Sequence, residues 1–108
     1  LKKNTNINVN IPNEILHDME IHATVVSPVD KKTGILILTS GMKHFTKEIV
    51  IRIYLLHRED TKNHFDIQHE LQAFSFTSYL QAKKFLNHLP NMSALEMLVL
   101  LKPSPQFQ

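Results

Sequence analysis

The chain reads as an α+β domain: a four-stranded antiparallel sheet of two consecutive hairpins, with a C-terminal helical pair packed on one face. Three observations carry this reading. Ile49, Ile51, Ile53 and Leu55 recur at every second position, and after a polar break Phe65, Ile67, His69, Leu71 and Ala73 do the same. A shorter pair of β-branched runs, around residues 20–27 and 35–39, flanks the turn-forming Asp30-Lys31-Lys32-Thr33-Gly34. From Ser78 onward the apolar spacing becomes helical. Period two places alternate side chains on opposite faces of a strand, whereas a period near 3.6 gathers them on one stripe of a helix. Consecutive hairpins favour antiparallel pairing, because parallel neighbours need long crossovers.

Residues 1–10 are rich in Lys, Asn and Thr, with Ile7 and Val9 alternating, and read as a lead-in or a short edge strand. Pro12 suits the first position of a helical turn, after which Ile15, Leu16 and Met19 fall on one side. Ile21, Ala23 and Val25 alternate with His22, Thr24 and Val26, which predicts a strand ending at Pro28. Gly34 closes the turn and Ile35 to Thr39 returns; Ser40-Gly41 breaks the chain again.

The run Ile49 to Leu56 is apolar on nearly both faces, so it belongs in the middle of the sheet or beneath a helix. The run Phe65 to Ala73 carries Asp66, Gln68, Glu70 and Gln72 between its apolar positions and is expected to be covered on one side. Tyr79, Ala82, Phe85, Leu86 and Leu89 mark one face of a helix, with Leu80 off that face. Ser78 and Gln81 have capping-box spacing and Pro90 closes the helix. Ser93 and Glu96 repeat the capping signal before Leu95 to Leu101, a segment apolar almost all round. The capping box favours a second helix there; an extended form would make a fifth strand. Pro103 and Pro105 stop it, so the domain is expected over 11–102, with 103–108 a tail or the start of a linker.

The 108 residues suit one domain with one moderate core. A net charge of +2, from 12 basic and 10 acidic residues, is too small to point to nucleic acid. Cysteine is absent, which removes disulfides, thiolate metal sites and cysteine nucleophiles, and fits a reducing compartment such as the cytoplasm. No apolar run approaches the ~20 residues of a membrane span. The opening Leu1-Lys2-Lys3-Asn4 has neither a signal-peptide core nor an initiator Met, and the chain reads as a piece of a larger intracellular protein. With Gly34 and Gly41 its only glycines, it lacks the partner glycines of phosphate-cradling or dinucleotide loops, and no cofactor is implied.

Among seven histidines, His57, His64 and Asp66 on the second hairpin offer the alternative reading, a small enzyme or metal-binding domain. Alternation sends His69 to the other face, with Phe65, Ile67 and Leu71, where a buried imidazole would act as a proton switch. The bland alternative is two solvated histidines and one core histidine. No Ser lies in a Gly-x-Ser-x-Gly elbow. Lys31, Lys32, Lys43, Lys47, Lys83 and Lys84, with Tyr54, Phe74 and Phe76 as stacking surfaces, form the weaker case for nucleic acid, set against acidic residues dispersed among them. Val50, Tyr54 and Leu56 lie opposite Ile49, Ile51 and Ile53, and a single helical layer covers only one of these faces. They are therefore the expected surface for a protein partner or for self-association, in a non-catalytic interaction domain.

Overall fold

In the computed structural model the described residues are 3–4, 7–42 and 48–89. They form β1 (Lys3–Asn4), β2 (Val9–Asn10), α1 (Asn13–Leu16), β3 (Glu20–Val26), β4 (Thr33–Ser40), β5 (Ile49–His57), β6 (Phe65–Phe76) and α2 (Tyr79–His88). The strands make one sheet in the order β1-β3-β4-β5-β6-β2. The four long strands pair antiparallel as two hairpins. The sheet is nevertheless mixed, since β2 joins β6 in parallel while β1 joins β3 antiparallel. Four antiparallel strands are thus its centre and not its whole, and residues 3–4 and 9–10 extend the two opposite edges. The second helix expected over residues 93–101 lies outside the described residues.

The connection between those edges forces the sheet to bend. Six flat strands would place β1 and β2 about 24 Å apart, at roughly 4.8 Å per step. The chain from Asn4 to Val9 reaches only about 18 Å, so the two edges must approach each other. At the β6 edge the Asn8 carbonyl accepts a hydrogen bond from the Phe65 N–H at 2.8 Å. The same stretch, Ile7 to Val9, lines a cavity with Ile21 to Thr24 of β3.

The sheet carries two cores, one on each face. Ile49, Ile51 and Ile53 join Ala23 and Ile37 against Ala82, Leu86 and Leu89 from α2 and its C-terminal end. Phe85 of α2 stacks at 4.8 Å on Phe74 and 5.5 Å on Phe76. Ser78 caps this helix by accepting from the Gln81 N–H at 3.3 Å, as its spacing predicts, and Leu80 stands exposed on the outer side. On the opposite face Leu36, Leu38, Tyr54, Leu56 and Phe65 are buried beneath Ile7, Val9, Ile11, Ile15, Leu16 and Met19. The N-terminal segment is therefore a roof over the second core. Pro12 caps α1 instead of opening it, its carbonyl accepting from Ile15 and Leu16 at 3.0 and 3.1 Å.

β6 departs from strict alternation. Its register against β5 skips Leu71 between Gln72 and Glu70, and skips Gln68 between His69 and Ile67. Each extra residue reverses the face taken by the residues after it. Phe65 and Ile67 consequently serve the second core, whereas Leu71, Phe74 and Phe76 serve the first. The strand is covered on both sides in different halves, and not on one side throughout.

The two hairpin turns are tied together. Ser27 Oγ accepts from the Val29 and Asp30 N–H groups, and the Asp30 carboxylate accepts from the Lys32 N–H and the Thr33 hydroxyl. The Arg58 N–H donates to the Lys32 carbonyl at 2.8 Å, and the Lys32 ammonium pairs with Asp60.

Candidate functional site

The roof changes the meaning of the expected interaction surface. Tyr54 is 7% exposed and Leu56 is fully buried, both under residues of the N-terminal segment; Val50 is half-buried. A single helical layer indeed covers one face only, but the chain covers the other with its own residues 7–19. Tyr54 and Leu56 are second-core residues and present no outer surface. Burial, with Glu70 opposite it in register, holds the Tyr54 phenol above its usual 10.0. Glu70 also pairs with Arg52 at 2.8 Å.

The metal combination is not assembled. His57 is the register partner of Asp66, and His64 Nε2 lies 3.6 Å from Asp66 Oδ1. Asp66, however, is engaged with the N-terminal segment: its Oδ1 accepts from the Asn10 side-chain amide at 3.3 Å, beside the parallel β2–β6 pairing. Among the described residues no three His, Asp or Glu side chains converge as a metal site. His69 is exposed, because the register shift at Gln68 moves it away from the row of Phe65 and Ile67, so it is not a buried switch. The stacking surfaces are also spent: Tyr54 is in one core and Phe74 and Phe76 pack on Phe85 in the other. Lys43 and Lys47 lie outside the described residues.

A feature that alternation does not announce lies at the start of β3. The register with β4 shifts between Ile21, opposite Leu38, and Ala23, opposite Ile37. Leu38 and Ile37 belong to different cores, so the irregularity at His22 breaks the alternation. Ile21, which alternation assigns to the core, is 54% exposed instead. Concavities adjoin it on two sides. One, of about 390 Å³, is walled by Ile7, Asn8, Val9, Ile21, His22, Ala23, Thr24 and Leu36. The other, more open, is bordered by Glu20, Ile21, His22, Thr39 and Met42.

Thr24 lies beside the first cavity with its hydroxyl oxygen buried. It is the register partner of Leu36, so its side chain stands on the second-core face. Its hydroxyl oxygen is buried with no hydrogen-bond partner among the described residues. A hydroxyl left in that state costs about 1–3 kcal/mol. The described lining of this cavity sets the apolar residues Ile7, Val9, Ile21 and Leu36 beside the polar residues Asn8 and His22. Bulges are over-represented where a strand must re-aim a side chain next to a site. An exposed apolar residue at a bulge between two hollows has the form of a binding surface. No helix among the described residues is long and apolar enough to cross a membrane. No protein-family model matches the chain, and no curated protein or solved structure matches it.

Proposed function

We propose that the protein is a non-catalytic interaction domain whose protein partner docks on the surface around Ile21. The observation that carries this reading is the half-exposed Ile21, set at a bulge with a concavity on either side. Large apolar residues that stay in water beside hollows are where partners gain most from burial. Full burial of the part of Ile21 still exposed is worth about 1–2 kcal/mol. The open concavity beside Met42 and Thr39 takes an apolar side chain from the partner.

Selection from a displayed library of random peptides tests this directly. The expected result is a set of peptides with an apolar anchor that bind wild-type protein and lose about tenfold or more against Ile21→Arg, a loss of roughly 1.4 kcal/mol. Their contacts should shift the backbone amide resonances of residues 20–23 and Met42. Selected peptides that bind the Ile21→Arg protein equally well would overturn the proposal.

A second reading rests on the opposite edge. β2 pairs only with Phe65 and Asp66, so among the described residues Ile67 to Phe76 have no strand on their outer side. Such an edge supports self-association by strand pairing. Light scattering over a concentration series, with amide exchange of β6, separates the two: a dimer whose β6 amides slow on association supports the edge, and a strict monomer excludes it.

A further inference from the structure

We infer that two copies of this chain associate through the part of the second face that the roof leaves open, with Arg52 of each copy meeting Glu70 of the other. This rests on the reading of Ile21 as a docking residue and names its partner as a second copy of the chain. The register defines the surface. Ile21, Leu38, Arg52 and Ala73 stand side by side across β3, β4, β5 and β6, and Ser40, Val50 and Ser75 form the next row. Leu38 is buried in the second core. Ile21 and Val50 belong to neither core, and Ala73 and Ser75 are exposed. The Arg52 and Glu70 side chains keep 41% and 38% of their surface in water.

Two separate irregularities build this surface. Strict alternation from Ala23, a first-core residue, would put Ile21 on the first face, and strict alternation from Ala73 would do the same to Glu70. The shift at His22 turns Ile21, and the skipped Leu71 turns Glu70, onto the face that carries Arg52. Glu70 then accepts from Arg52 Nη1 at 2.8 Å. A guanidinium offers five N–H donors, and among the described residues only Nη1 is engaged, so the rest of the fork is open to a second carboxylate. Ser75 donates to the Glu48 carboxylate at 2.7 Å, which adds another negative group at the border. A patch that carries an apolar residue and both signs of charge is complementary to itself, because a two-fold contact makes every pairing twice. Ser40, Ala73 and Ser75 are small and let a second sheet approach to the ~10 Å of face-to-face packing. A net charge of +2 opposes such association little.

Light scattering of the wild-type chain up to about 1 mM is expected to show a dimer that grows with concentration. Arg52→Glu and Glu70→Arg each set like charges across the contact, and each should weaken the dimer about tenfold or more. Mixing the two variants brings an acidic patch against a basic one, and the mixture should associate again. The double variant, Arg52→Glu with Glu70→Arg, should dimerise as the wild type does, and it keeps a pair within the chain where a single variant fails to fold. The inference is overturned if the wild type or the double variant stays monomeric throughout. It is also overturned if the single variants dimerise undiminished, as strand pairing at β6 would have them do, or if their mixture stays monomeric, as a purely internal pair would leave it. Peptide selection reads Ile21 without these charges, so failure of the dimer and failure of the docking surface are told apart.

Discussion

Replacing Thr24 by Val is a direct probe of the unpaired hydroxyl. The two side chains have nearly the same shape, so the change exchanges a hydroxyl for a methyl group with little repacking. Thr24 is buried and its oxygen lacks a partner among the described residues. Desolvating such a group costs about 1–3 kcal/mol, and the substitution removes that cost. Valine also suits a β-strand at least as well as threonine. The expected outcome is stabilisation by about 1–2 kcal/mol, within that range. For a domain of about this size each kcal/mol raises Tm by about 4–8 °C. Urea unfolding followed by circular dichroism, with unchanged slope, gives the difference in free energy, and calorimetry gives Tm. A loss of more than about 1 kcal/mol would overturn this expectation, since it would mean that the hydroxyl is satisfied in the folded protein.

Other substitutions address the cores, the turns and the surface. Gly34→Ala should destabilise by about 1–3 kcal/mol in the same unfolding assay, because a Cβ there would lie 2.9 Å from the Val25 carbonyl oxygen, a backbone atom that cannot move alone. Leu36→Ala should lose about 2–5 kcal/mol, as Leu36 is fully buried in the second core. Ile21→Arg should change stability by no more than about 0.5 kcal/mol, which makes it a clean binding variant. Asp30 and Asp60 sit below their usual 3.8, the first held by the Thr33 hydroxyl and the Lys32 N–H, the second by the Lys32 ammonium. A depressed carboxylate stabilises the fold above its unfolded pKa and ceases to do so as pH falls through the folded value. Asp30→Asn and Asp60→Asn should therefore lower stability at neutral pH and weaken its decline in acid, as measured by Tm across pH 7 to 2; an unchanged acid limb in both would contradict the turn geometry.

The hairpins and α2 were legible because each is governed by one local period. Residues 49–55 alternate without interruption, and Ser78 and Gln81 announce the helix start. The apolar runs also placed β5 in the middle of the sheet, where it lies between β4 and β6 with a core on either face. The roof was not legible. Ile7, Val9, Ile11, Ile15, Leu16 and Met19 share no single period, since they pass through a short strand, a turn of helix and the connections between them. What gathers them is the second core, a tertiary effect, and missing it made Tyr54 and Leu56 look like a surface. The β6 shifts left a visible trace: Leu71 and Phe74 are three apart, so one even spacing cannot put both on one face. The β3 irregularity left none. Ile21, Ala23 and Val25 keep perfect alternation in sequence, while the shift at His22 gives Ile21 a different surrounding from Ala23.

Absence of cysteine from the chain makes single introduced thiols the most direct measure of which face is covered. Ile21→Cys and Leu56→Cys, each confirmed folded by circular dichroism, would be reacted with a thiol reagent under native conditions. The thiol at 21 should react nearly as fast as a free thiol. At 56 it should be slower by orders of magnitude, reacting only when the roof of residues 7–19 opens. Equal rates at the two positions would contradict a covered second face, which would then lie open, and the docking surface would have to return to Tyr54 and Leu56.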